Sequence, residues 1–166
     1  RRTRLSLGFT AETVEVRDIE ADAPRTVWDD EGSDEIRTLD LSFRHDATDH
    51  PIQPSRGYEV TLRPEVAGGF LGGSERFWGI HWGGKGYLPL FRDGMGRPHL
   101  LALDLGFDWR DPIGDDAGLH VAKRLFLGGR GTLRGFRFRG AGPTQFGNPT
   151  GGEARWHATL EYLLPV

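Results

Sequence analysis

Wherever this chain carries a pattern, its period is two. Leu5, Leu7, Phe9 and Ala11 alternate with Arg4, Ser6, Gly8, Thr10 and Glu12, and Leu39, Leu41 and Phe43 alternate with Asp40, Ser42 and Arg44. Tyr58, Val60, Leu62 and Val66 are set against Glu59, Thr61, Arg63 and Glu65. Leu101, Leu103, Leu105, Phe107 and Trp109 oppose Ala102, Asp104, Gly106 and Asp108, and Ala154 to Tyr162 repeats the scheme against Glu153 to Glu161. Trp78, Ile80 and Trp82 fit it too, with glycines on the other side. Successive side chains of a strand point to opposite faces, so each segment has one apolar and one polar face. The pattern predicts roughly six antiparallel strands of about ten residues, longer than is usual in soluble sheets. No stretch approaches the roughly 18 apolar residues that a membrane-spanning helix requires, and no helix longer than a turn is expected.

The connections alternate in length. Residues 46–56 and 92–98 are short and rich in Asp, Pro and Gly, as turn chemistry demands. Residues 18–35 form a longer acidic loop, residues 111–151 a very long glycine-rich one, and residues 67–74 a short exception on the long-loop side. Short turns at one end and long loops at the other are the asymmetry of an outer-membrane barrel. A soluble β-sandwich also has one wet face per sheet, so alternation alone leaves both open. The apolar faces favour the barrel. They carry Tyr58, Trp78, Trp82, Trp109, Trp156 and Tyr162, amphipathic rings suited to the headgroup level of a bilayer. Leu101, Leu103, Leu105 and Phe107 are then expected on the convex, lipid-facing side, and Asp104 and Asp108 on the concave side. Six strands fall short of the eight of the smallest membrane barrels, and an unpaired edge in lipid is not viable. The expectation is therefore an all-β, antiparallel transmembrane barrel, open here, with residues 1–166 forming part of a larger barrel.

Composition removes several functions. Cysteine is absent, so neither a disulfide framework nor a thiolate site arises, and a net charge of −3 argues against nucleic-acid binding. Of the six histidines, only His45 and His50 approach ligand spacing, and they fall in a turn, so no metal site is expected. His157 reads as a hydrogen-bonding residue of the polar face. Asp46, Asp49, Asp108 and Asp111 stand in turns or at a strand end, where aspartate turns the chain. Gly83-Gly84-Lys85-Gly86 lacks phosphate-loop spacing and a following helix, and no G-x-S-x-G elbow is present. No enzymatic activity and no cofactor are expected.

The densest local signal is residues 123–143, KRLFLGGRGTLRGFRFRGAGP, where glycines and basic residues crowd together with aromatics between them. Glycine is poor in helix and strand interiors, but it lets backbone turn sharply and approach closely. Arginine presents a planar fork suited to a carboxylate or a phosphate. A bare physical reading is a tight basic loop, either a plain surface loop or one that offers a guanidinium to a chosen partner.

Three motifs in order resemble the bacterial surface antigen family, the outer-membrane barrels of the BamA type. Phe126-Leu127-Gly128-Gly129 followed by Leu133-Arg134-Gly135-Phe136 is similar to that family's F-x-G-G and [VIL]-R-G-[FY] loop. Phe43 to Pro51 with Pro54 to Gly57 is similar to its proline-rich turn, and Gly151-Gly152-Glu153 leading to Leu160-Glu161-Tyr162 is similar to its strand after the loop. The resemblance implies periplasmic domains upstream, further strands downstream, and a loop folded back into the lumen with Arg134 meeting Glu161. It also implies a second acid for that arginine on a later strand, which this chain does not reach. Implied partners are the lipid bilayer, unfolded outer-membrane proteins as clients and accessory lipoproteins of an assembly complex, with the outer membrane as location. The implied function is insertion and folding of other barrels. The alternatives are a polypeptide-secreting barrel of the two-partner type, which shares an R-G-[FY] loop, and a soluble sandwich that binds a ligand on its aromatic face.

Overall fold

The computed structural model describes residues 1–114 and 118–164. Six long strands form one antiparallel sheet: β1 (Arg2–Val16), β2 (Gly32–Asp46), β3 (Gly57–Ala67), β4 (Phe77–Arg92), β5 (Pro98–Pro112) and β8 (Ala154–Leu163). They pair in chain order, leaving β1 and β8 as open edges. Between β5 and β8 the long loop carries a two-residue hairpin, β6 (Thr144–Gln145) with β7 (Asn148–Pro149). The connection after β1 holds a single helical turn, α1 (Arg25–Trp28). Among the described residues no helix is long and apolar enough to cross a membrane.

The alternating residues take the phase that the sequence predicts. Leu5, Leu7 and Phe9 pair across to Phe43, Leu41 and Leu39, and Leu103, Phe107 and Leu160 are exposed on the same outer face. Among the described residues no second sheet covers these side chains, which removes the sandwich. Aromatic rings mark both margins of the outer face. Near the long loops Trp78 and Trp109 meet edge to face with centroids 4.5 Å apart. Near the turns Phe91 stacks on His99 at 4.3 Å, and the His99 Nδ1 lies 2.6 Å from the Tyr162 hydroxyl. His99 and Trp109 lie ten residues apart on β5, roughly 33 Å along a strand. At a barrel tilt of roughly 40° this gives an apolar band about 25 Å tall, the height of a transmembrane barrel's lipid-facing belt.

Five of the six long strands run 11–16 residues rather than about ten, because hydrogen bonding continues beyond the alternation. Gly32 to Glu35, expected in the acidic loop, pair with Val16 to Thr13 and begin β2. The short turns are held by their aspartates. Asp49 accepts from the Ser55 hydroxyl and from the Ser55 and Arg56 amides, which holds its carboxyl well below the usual range. Asp93 is lowered by the same means in the other turn, the Arg97 amide being the first cause.

On the concave face, glycine makes room for large polar side chains. A Cβ on Gly106 would run into the His157 ring, which sits directly over it. At the long-loop end the same face turns apolar. Ile36, Ala67 and Phe77 are fully buried there with Leu119 of the loop, and Val14 packs against them.

Candidate functional site: the loop within the sheet

The loop enters the concave face as a plug. Leu119 completes the small core, a burial that contributes about 1.5–3 kcal/mol for a side chain of this size. His120 beside it is equally buried; its Nδ1 accepts from the Ala122 amide, and its Nε2 stands 3.5 Å from Asp34. The Val121 amide donates to Asp30 at 2.6 Å. Burial pushes the neighbouring Glu75 carboxyl up, and Asp34 and Asp30 push it in the same direction against the opposing influence of His120.

Strand side chains then grip the loop through its main chain. Arg110 of β5 donates to the Lys123 carbonyl at 2.6 Å while pairing with Glu65 of β3. Lys123 itself pairs with Glu12 of β1. Arg155 of β8 donates to the Phe126 carbonyl at 2.9 Å and to Asp108 at 2.7 Å, and Asp108 also lies 2.7 Å from the Nδ1 of His81. Asp108 is nearly buried and joins β4, β5 and β8 to the loop. Strand side chains bonded to loop carbonyls fix the loop's path whatever its own side chains are. Isolated bridges from Leu125 to Gly152 and from Leu127 to Ala141 close the loop upon itself.

The tip is the segment singled out by sequence. Gly128 donates to the Thr132 hydroxyl, the Gly129 carbonyl accepts from the Leu133 amide, and the Gly129 amide donates to the Phe136 carbonyl. This compact turn sends the guanidinium of Arg134 to Glu161 on β8, where the two form an ion pair. The Arg134 side chain is 72% exposed and that of Glu161 29%. Phe136 is exposed, and Leu133 lines an apolar cavity with Leu125, Leu127 and Trp156.

Gly128 has φ +116°, and a Cβ there would meet the Arg137 carbonyl at 2.6 Å. Gly128→Ala should therefore cost about 1–3 kcal/mol of backbone strain and unseat the tip. Limited proteolysis of the full-length protein should show faster cleavage within residues 129–140 while the barrel stays intact.

The structure thus brings together Gly128, Gly129, Leu133, Arg134, Gly135, Phe136 and Glu161. Among the described residues no group of three or more His, Asp or Glu side chains could hold a metal. His157 corrects one expectation. Among the described residues it makes no hydrogen bond: its Nε2 is 3.8 Å from Asp104 and its Nδ1 is buried without a partner there, because the ring is pressed onto Gly106. The grips at Asp108–Arg155 and Arg110–Glu65 were missed by sequence reasoning. Their only signal was charge at polar-face positions of three strands, which alternation records without saying which charges meet.

A sequence model of the Omp85 superfamily domain matches residues 1–166. The chain is 32% identical over 127 residues to the mouse sorting and assembly machinery component 50 homolog, a match covering 73% of this chain and 24% of that protein. It is 26% identical over 165 residues to the outer membrane protein assembly factor BamA of Neorickettsia risticii, covering 98% of this chain and 21% of that one. The crystal structure of BamA from Haemophilus ducreyi lacking POTRA domains 1–3 superposes with a TM-score of 0.77 at 18% identity, over 99% of this chain and 34% of that chain. The chain spans about a quarter of the length of the curated relatives it matches.

Proposed function

The chain belongs to the Omp85 superfamily, and from that premise we propose that it is part of the barrel of an outer-membrane assembly factor, one that inserts and folds other β-barrel proteins. The observation that carries this reading is the loop inside the sheet, tied to β8 through the Arg134–Glu161 pair and Arg155 and to β5 through Arg110. A lumen filled by the protein's own loop suits a device that works on strand edges better than a diffusion pore. An exposed edge can template an incoming strand by main-chain hydrogen bonding. The braced loop would hold the wall's curvature while the edge is engaged. This is mechanical work on unfolded barrel proteins, with the bilayer, periplasmic domains and accessory lipoproteins as partners and without cofactor or enzymatic step.

Depletion of the full-length protein in its host is the test. Folded outer-membrane barrels of several unrelated kinds should fall together, with their unfolded forms accumulating in the periplasm. Loss of a single secreted polypeptide with barrel levels unchanged would instead assign the chain to the secreting branch.

A further inference from the structure

A cavity of about 350 Å3 lies between the concave face and the underside of the loop, and its walls carry six arginines. Arg63 comes from β3, Arg110 from β5 and Arg155 from β8, while Arg124, Arg130 and Arg139 come from the loop. Two carboxylates answer them: Asp108, paired with Arg155, and Glu65, paired with Arg110. Arg124 is turned to the main-chain carbonyls of Thr150, Leu119 and Gly151, which are neutral acceptors. Arg139 lies over the Phe126 ring at 4.2 Å. Arg63 and Arg130, on opposite walls, make no ion pair or side-chain hydrogen bond among the described residues.

Like charges gathered in a partly enclosed space repel one another and raise a positive potential that concentrates anions. Guanidinium forks match phosphate and carboxylate oxygens two at a time. Arg110, Arg124 and Arg155 are already fixed by the main chain, so a ligand would have little ordering to offset. The volume is far above the roughly 30 Å3 share of one water and falls at the low end of the roughly 300–1,000 Å3 of ligand pockets. We infer that this cavity is a binding site for a compact, multiply charged phosphate group, with Arg63 and Arg130 closing on it from opposite sides. The group's source is either a soluble phosphate ester or the headgroup of a lipid.

The test uses the full-length folded protein in detergent, titrated calorimetrically with inorganic pyrophosphate and, separately, with dihexanoyl phosphatidic acid. Both probes should bind at low salt and weaken as ionic strength rises. Tighter binding of the lipid would name a headgroup as source, and tighter binding of pyrophosphate a soluble ester. The double variant Arg63→Gln/Arg130→Gln breaks no ion pair or side-chain hydrogen bond among the described residues, and it should weaken both probes about tenfold or more, the loss of one to two charge-assisted hydrogen bonds. Heat-modifiable gel mobility would verify that this variant stays folded. Absence of binding by both probes, as when acids from the protein's other strands fill the cavity, would overturn the inference. So would unchanged affinity in the double variant.

Discussion

Asp108→Ala should be the most destabilising single substitution on the concave face. It deletes the carboxylate shared by His81 and Arg155 and leaves Arg155, which also holds the Phe126 carbonyl, without a counter-charge. Breaking a buried pair by removing one partner costs about 3–5 kcal/mol. The partial exposure of His81 and Arg155 lowers this, but the burial of Asp108 keeps the cost well above the roughly 0–1 kcal/mol of an exposed pair. Asp108→Asn retains an acceptor and should lose less. The temperature at which the full-length protein loses its heat-modifiable gel shift measures the effect. A value within a degree or two of wild type for Asp108→Ala would show that the grip on Phe126 contributes nothing.

The second large effect is expected in function rather than stability. Arg134→Glu places an acid against Glu161, and Glu161→Arg places two guanidiniums together, so either change should release the loop tip from β8. Because Arg134 is largely exposed, the stability cost should stay near the roughly 0–1 kcal/mol of a surface pair. Growth and barrel-protein levels should nevertheless fall sharply in each single variant and recover in the exchanged pair. Arg134→Lys should rescue only partly, since an ammonium lacks the two-pronged geometry. Normal growth in both single variants would mean that the pair has no functional role.

The wall of this fold was legible because one face of every strand is apolar, and a period of two survives without any knowledge of partners. Leu101 to Trp109 against Ala102 to Asp108 fixed the facing of β5 outright. The inner core was not legible. Ile36 and Phe77 fall in the polar phase of their strands, where a lone apolar residue reads as an exception. They pack with Ala67 and Val14 of neighbouring strands and with Leu119, which arrives from the loop. The tip was legible through resemblance, since Leu133-Arg134-Gly135-Phe136 has a recognisable order. The grips of Arg110 and Arg155 on loop carbonyls were not, because main-chain acceptors carry no signature of their own. Strand length was underestimated for a related reason: Gly32 to Glu35 hydrogen-bond as strand without presenting an apolar face.

This sheet is read as a membrane wall with lipid on one face and the loop on the other. The chain has no cysteine, so Leu103→Cys, Phe107→Cys and Asp104→Cys can each be labelled with a small fluorophore, in a full-length background cleared of other cysteines and reconstituted in bilayers. Brominated lipid should quench the label at 103 and 107 strongly and the label at 104 little. Equal quenching at all three positions, or stronger quenching at 104, would show that the apolar face does not meet lipid.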